Sequence, residues 1–126
     1  PTTVPNITFK QITGHHTMYV TVGYLKQGKP FEIFITVEGS DGCEKGYLEA
    51  VGRLLSVGLQ YGVPAEEFIK QLSGISCVPV SDPSKGRMVK SPVDGLALTL
   101  QEFIDASKNN PRTEESCYDA VVPEQV

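Results

Sequence analysis

The 126-residue sequence has no tryptophan, two histidines and three cysteines, and none of its apolar runs approaches the ~20 residues of a membrane helix. The cysteines, Cys43, Cys77 and Cys117, are odd in number and widely spaced, which argues against a disulfide framework and a CxxC pair. Eleven Lys and Arg against 15 Asp and Glu give a net charge of −4, which argues against a long nucleic acid as partner. No signal-peptide pattern opens the chain. We therefore expect a single domain in a reducing cytoplasm, with no membrane partner.

The spacing of apolar residues predicts an α+β fold. Period-two alternation predicts a hairpin of strands at 16–25 and 31–38, and further short strands complete a small antiparallel sheet. Spacing of three and four residues predicts two to three helices, at 43–61, 65–72 and 92–107, packed against that sheet. We divide the chain into an N-terminal arm at 1–13, a domain at 14–108 and an acidic flexible tail at 109–126.

Three glycines punctuate the first predicted helix at six-residue intervals. Gly46, Gly52 and Gly58 each cost about 1 kcal/mol relative to alanine. We interpret their spacing as a close approach of the helix backbone to the sheet. The apolar period on the same helix includes Tyr47, Leu48, Val51, Leu54, Leu55, Val57 and Leu59.

A glycine-rich connection at 39–46 is the first candidate ligand site. Gly39, Ser40 and Gly42 place backbone N–H groups before a helix, whose positive end favours phosphate, and Lys45 adds a cation. The stretch is not a Walker loop and has no GxGxxG. A plain turn with a helix cap is the alternative that the sequence leaves open.

A basic loop is the second candidate site. Lys85, Arg87 and Lys90 lead into a helix start at which Ser91 can cap and Asp94 can complete a capping box. We expect the three cations to face the 39–45 turn across one anion-binding pocket. Because exposed loop charges contribute little to folding, replacing one of them should barely change stability. A solvated loop is the alternative.

The histidines and cysteines predict no metal, no cofactor and no catalytic group. His15 and His16 are adjacent, and on an extended chain they point to opposite faces, so contact of one with a ligand phosphate is the better hypothesis. Cys43, at a helix start, is either a reactive thiol or a small capping residue. Cys77 has the pattern of a strand core residue. No Ser/His/Asp order, HExxH or carboxylate pair is present, so we expect no enzyme.

Several motifs resemble the C-terminal region of adenosylcobalamin (vitamin B12)-dependent ribonucleotide reductases. In chain order they are residues 14–25 (GHHTMYVTVGYL), 28–35 (GKPFEIFI), 38–40 (EGS), 59–64 (LQYGVP) and 90–94 (KSPVD). The last resembles a helix start that reads TSCPD in standalone relatives and names the domain. The likeness runs from Gly14 to Ile104 and is that of a TSCPD-type accessory domain.

The sequence departs from this family at two places. Pro92 stands at the position of the TSCPD cysteine, and a short insertion lies between Ser40 and Gly46. The family's barrel, cobalamin site and thiyl-radical cysteine lie upstream of this domain and have no match here, and its paired tail cysteines are represented by Cys117 alone. The resemblance therefore implies an accessory domain that does not itself reduce ribonucleotides.

Two hypotheses for function follow. In the first, the domain is non-catalytic and binds a nucleotide or nucleotide-like anion; a variant is a viral sponge that sequesters nucleotide second messengers in the host cytoplasm. In the alternative, it is a docking or regulatory subunit of a separately encoded ribonucleotide reductase, with 90–94 and the exposed sheet as docking surface. A second copy of the chain is a further candidate partner.

Overall fold

Three antiparallel strands form the main sheet of the computed structural model, which describes residues 4–39 and 42–109. The strands are β1 (Asn6–Ile12), β2 (Thr17–Tyr24) and β3 (Pro30–Val37), with β2 in the centre. Val20 of β2 lies opposite Phe9 of β1 and Ile35 of β3. The predicted hairpin is confirmed, and its observed bounds differ from the predicted ones by one residue at each end.

In the described part of the chain, three helices follow the sheet, and the predicted α+β class is confirmed. They are α1 (Cys43–Gln60), α2 (Ala65–Leu72) and α3 (Pro92–Asn109). Gly62 and Gly74 follow the first two helices at φ angles of +98° and +85°, a region that glycine enters without the Cβ penalty. α3 begins where the sequence predicts and ends two residues later than predicted.

A second hairpin connects α2 to α3. Its strands are β4 (Val80–Asp82) and β5 (Arg87–Val89), paired antiparallel. The sequence predicts a strand that includes Cys77, but the strand begins only at Val80 and Cys77 is exposed. The interpretation of Cys77 as a strand core residue is therefore wrong.

The core lies between one face of the sheet and α3. Met18, Val20 and Val22 are at most 1% exposed and are buried together with Leu96 and Leu100 of α3. The ring of Phe103 packs edge-on against Phe9, with centroids 6.5 Å apart, and against Tyr24 at 5.7 Å. This packing fixes β1 and β2 against α3, and with them the loop at residues 13–16 that connects the two strands.

The sequence predicts an apolar period on α1 that includes both Leu54 and Leu55, but only part of these apolar residues is buried. Leu48, Leu55 and Leu59 are buried, whereas Leu54 is 70% exposed. The reason is that α1 lies along β3 at the edge of the sheet, where a Cβ at Gly52 would lie 3.2 Å from the carbonyl oxygen of Ile33.

The glycine prediction holds for one of the three positions. Gly52 approaches the sheet, Gly58 instead lies against the ring of Phe68 in α2, and Gly46 faces open space. The expected arm at 1–13 contains β1, which pairs with β2 along its whole length. The expected tail falls, from residue 110 onward, outside the described residues and stays a prediction. No helix within 4–39 and 42–109 is long and apolar enough to cross a membrane.

Candidate functional site

The turn between β1 and β2 is organised by one buried hydroxyl. Thr13 Oγ1 accepts the backbone N–H groups of His15 and His16, each over 3.1 Å, and donates to the carbonyl oxygen of His16 over 2.6 Å. Thr13 is 8% exposed. The buried Thr13 hydroxyl thus fixes the backbone of both histidines.

This turn brings both imidazoles to one carboxylate in the first turn of α1. His15 Nδ1 lies 3.8 Å from Glu44 Oε2, and His16 Nε2 lies 3.4 Å from Glu44 Oε1. The expectation that the two side chains diverge is wrong, because residues 13–16 form a turn and not an extended strand. We call His15, Glu44 and Cys77 the His–Glu–Cys cluster; His16 faces the same carboxylate from outside it.

Cys77 completes the cluster from the loop after α2. Its Sγ lies 3.1 Å from His15 Nε2, the ring nitrogen that faces away from Glu44. The thiol is exposed. Across the described ranges, no group of three or more His, Cys, Asp or Glu side chains has an arrangement that could hold a metal ion. The geometry places the Cys77 thiol, the His15 imidazole and the Glu44 carboxylate next to one another in space, in that order.

No pattern in the sequence indicates that His15, Glu44 and Cys77 lie close together in the fold. His15 and Cys77 are 62 positions apart, and Glu44 is unremarkable as an acidic residue in a first helical turn. Cys77 lies in a segment of short strand pattern, which points attention to the core and not to the surface. In the sequence, the two adjacent histidines and Cys77 are separate signals, and only the tertiary structure brings them together.

The glycine-rich connection leads into α1 beside this cluster. Gly39 adopts φ +75°, Gly42 is the exposed N-cap residue without a side-chain cap, and Lys45 is exposed. Ser40, the fourth residue predicted here, lies outside the described residues. The plain turn and cap therefore describe what is seen at Gly42, and the anion site remains a prediction.

Two of the predicted phosphate-binding cations are bound within the fold. Lys85 Nζ donates to Glu102 Oε1 over 3.0 Å, and Arg87 donates to the same oxygen over 3.3 Å and to Gln11 Oε1 over 2.6 Å. Gln11 is fully buried and its amide donates to Asp82 Oδ2 over 3.1 Å. We call these five residues the Glu102 network; it fastens the β4–β5 hairpin to β1 and α3.

The pKa of Asp82, in this network, is lowered. The Ser84 hydroxyl donates to Asp82 Oδ1 over 2.7 Å and is the main cause that lowers the pKa of Asp82 below its usual value of 3.8. Burial acts in the opposite direction, while the Gln11 amide and the charge of Lys85 lower the pKa further. The network therefore holds Asp82 as a carboxylate.

The third cation belongs to the start of α3. Ser91 Oγ accepts the N–H of Asp94 over 3.0 Å, as a capping residue does, and Ser91 is 2% exposed. The Asp94 carboxylate accepts the N–H groups of Lys90 and Gly74, which differs from a capping box closed on Ser91 itself. The carbonyl oxygen of Lys90 accepts the N–H of Cys77 over 2.7 Å. The backbone at Lys90 thus meets the His–Glu–Cys cluster, whereas Lys85 and Arg87 belong to the Glu102 network.

A separate surface lies on the solvent side of α1. Four apolar side chains there are more than half exposed, and we call them the α1 outer face: Tyr47 (71%), Leu54 (70%), Val57 (52%) and Tyr61 (87%). Together with Ala50 they recur at intervals of three and four residues, the spacing of a seam that packs against another helix. Phe34 of β3, 56% exposed, lines a groove with Val57 and extends the same patch.

A cleft lies at the C-terminal end of α1, before α2. It has a volume of about 390 Å³ and is lined by Lys29, Gly62, Pro64 and Lys108, among others. Small-molecule pockets usually have volumes of about 300–1,000 Å³. We call it the α2 cleft; of the residues predicted from sequence as ligand-binding, none that the structure describes lines it.

The fold and its cap define the class: a small α+β domain whose last helix starts at a capped Ser-Pro-Val-Asp motif. The family model for the TSCPD domain matches residues 1–104, and the chain belongs to that family. Its curated relatives include vitamin B12-dependent ribonucleotide reductases: that of Rhodopirellula baltica is 32% identical over 117 residues, that of Bradyrhizobium diazoefficiens 32% over 96 and that of Streptomyces clavuligerus 29% over 98.

These alignments cover 90%, 76% and 76% of this chain, but only 11%, 8% and 10% of the three relatives. The similarity therefore concerns a small part of each reductase. No solved structure matches the chain significantly.

Proposed function

We propose that the chain is a non-catalytic accessory domain that docks on a ribonucleotide-reductase-type polypeptide through the α1 outer face. The observation that carries the proposal is the exposure of Tyr47, Leu54 and Val57 on one side of α1, and of Tyr61 at its C-cap, while the other side of the helix is already packed. Contiguous exposed apolar surface of this kind marks an interaction site more often than a solvated face.

The spacing and size of the α1 outer face fit an apolar helix as the occupant. Full burial of an aromatic side chain covers about 150–250 Å², so these four side chains supply the apolar centre of an interface of about 800 Å² per partner. In the relatives, the segment similar to this chain is part of a polypeptide about ten times as long, as its 8–11% share shows. A domain of this family therefore has a larger chain to pack against.

The test uses the Rhodopirellula baltica reductase without the segment that matches this chain. We expect the domain to bind it with a micromolar Kd in a fluorescence titration. Leu54→Lys should weaken binding at least about a hundredfold, because a buried lysine loses its hydration. Gln71→Lys adds the same charge at an exposed position of α2 and is the matched control.

Two results would reject the docking proposal. One is the absence of binding below millimolar concentration. The other is a concentration-dependent mass in sedimentation that Leu54→Lys abolishes, since that would assign the α1 outer face to a second copy of this chain.

Binding of a nucleotide-like anion is the second candidate, and the α2 cleft is the observation that favours it. Lys29 and Lys108 line that cleft, and the N-terminus of α2 at Ala65 adds the positive end of a helix. Calorimetry with ATP and a cyclic dinucleotide tests it: the double variant Lys29→Ala, Lys108→Ala should bind at least about tenfold more weakly. A sponge for second messengers would in addition release the cyclic dinucleotide unchanged. Equal affinity of wild type and double variant would exclude this cleft.

A further inference from the structure

Cys77 and His15 form a thiol–imidazole pair on the protein surface. The Sγ and Nε2 atoms are 3.1 Å apart, and the thiol is exposed to solvent. A nucleophile within hydrogen-bond reach of a base, with the base oriented by a third group, is the arrangement that activates a cysteine. The thiolate and not the thiol is the reacting species, so the neighbouring base decides the rate.

Glu44 is placed to favour the imidazolium that forms when His15 takes the thiol proton. Its Oε2 lies 3.8 Å from His15 Nδ1, is buried from solvent and has no hydrogen-bond partner among residues 4–39 and 42–109. At that distance the carboxylate acts through its charge and not through a hydrogen bond. His16 faces the other carboxylate oxygen at 3.4 Å, while the Cys77 thiol contacts His15.

The loop that carries Cys77 is fixed by backbone contacts. The N–H of Cys77 donates to Lys90, and the next residue, Val78, adopts φ +53°, which is rare for a β-branched residue. Gly14, next to His15, lies against Val78 so closely that a Cβ there would be 2.8 Å from Val78 Cγ1. The two loops are therefore locked together, and backbone strain of this kind persists where surrounding structure imposes it.

We propose that Cys77, with His15 as base and Glu44 as positioning residue, is a reactive thiol that exchanges with low-molecular-weight disulfides. This inference goes beyond the proposed function and does not depend on it. Neither the α1 outer face nor the α2 cleft contains any of the three residues.

The exchange step balances without a further reagent. The thiol proton moves from Sγ of Cys77 to Nε2 of His15, and the thiolate attacks one sulfur of the disulfide. A new S–S bond forms as the old one breaks, so Cys77 is oxidised while the leaving sulfur is reduced. The leaving thiolate then takes the proton from His15.

Oxidised glutathione is the probe, and mass spectrometry reads the outcome at each thiol. Trypsin places the three cysteines in separate peptides, 27–45, 71–85 and 113–126. We expect Cys77 of the native protein to form the mixed disulfide at least about tenfold faster than it does in urea. The His15→Ala variant should lose this acceleration, since a positioned base contributes about a hundredfold or more in enzymes. Glu44→Gln should reduce it partly.

His16→Ala is the matched control, because it removes the adjacent imidazole that faces Glu44. It should change the rate at Cys77 less than about twofold. The native-to-urea ratio in the wild-type protein needs no variant, so the proposal stays testable if His15→Ala fails to fold. A ratio of one, or equal effects of His15→Ala and His16→Ala, would overturn it. So would protection of Cys77 by one equivalent of zinc that depends on His15, which would make the cluster a metal site.

Discussion

Ser56 of α1 and Ile33 of β3 are joined by a pair of hydrogen-bond contacts at the outer edge of the sheet. The N–H of Ile33 donates to Ser56 Oγ over 2.8 Å, and the same hydroxyl lies 3.1 Å from the carbonyl oxygen of Ile33. An edge strand otherwise presents such groups to solvent or to another chain. The helix thus covers the edge of β3 with a side chain in place of a fourth strand.

Replacement of Ser56 by alanine should destabilise the fold. The variant leaves the half-buried N–H of Ile33 without its acceptor, which costs about 1–3 kcal/mol. Urea unfolding followed by circular dichroism measures the loss. Ser81→Ala alters an exposed serine of β4 and should change the free energy of unfolding by less than about 0.5 kcal/mol. An equal effect of both variants would mean that the Ser56 contacts contribute nothing specific.

The neighbouring leucines of α1 should respond in opposite ways to truncation. Leu55 is 6% exposed, so Leu55→Ala should lower the free energy of unfolding by about 2–5 kcal/mol through cavity formation. Leu54 is 70% exposed, so Leu54→Ala should lower it by less than about 0.5 kcal/mol. Urea unfolding at low protein concentration measures both. A loss above 1 kcal/mol for Leu54→Ala that grows with protein concentration would show that self-association covers this leucine.

Arg87→Ala should destabilise the protein, which is the reverse of what the sequence suggests for a loop cation. The guanidinium donates to the fully buried Gln11 over 2.6 Å, and its loss leaves the Gln11 Oε1 atom unpaired at a cost of about 1–3 kcal/mol. Lys90→Ala removes an exposed side chain of the same predicted loop and serves as the control. Thermal unfolding at matched concentration compares them. Similar melting temperatures for the two variants would contradict a structural role of Arg87.

The lowered pKa of Asp82 makes stability depend on pH in the acid range. Because the folded state holds the carboxylate ionised, the stabilisation is complete above the unfolded pKa of 3.8 and is lost as pH falls through the lower folded pKa. The free energy of unfolding should therefore fall as the pH drops from about 5 through the lowered pKa of folded Asp82, and Asp82→Asn should make this fall smaller.

Asp105→Asn changes an exposed carboxylate of α3 and is the control for this comparison. It should leave the pH dependence of unfolding close to that of the wild type. An unchanged slope in Asp82→Asn would assign the acid sensitivity to other carboxylates.

The sequence predicts the secondary structure of this protein well because the signals are local. Each signal determines the structure of only a few neighbouring residues. Examples are the period-two alternation in β2 and β3, the glycines at positive φ after α1 and α2, and Ser91 before Pro92. The hydrophobic period of α1 likewise predicts the helix. It cannot assign Leu54 to solvent and Leu55 to the core, because both are apolar and only the position of β3 beside the helix separates them.

The sequence by itself determined the α+β class, the three helices, the hairpin and the family. Tertiary structure alone decided which candidate residues meet. A turn closed by Thr13 directs both histidines to Glu44, and the loop after α2 brings Cys77 to His15. Packing of the β4–β5 hairpin near α3 pairs the cations Lys85 and Arg87 with Glu102, within 3.3 Å of each. Contacts between residues 15 to 76 positions apart follow from packing, which no local pattern encodes.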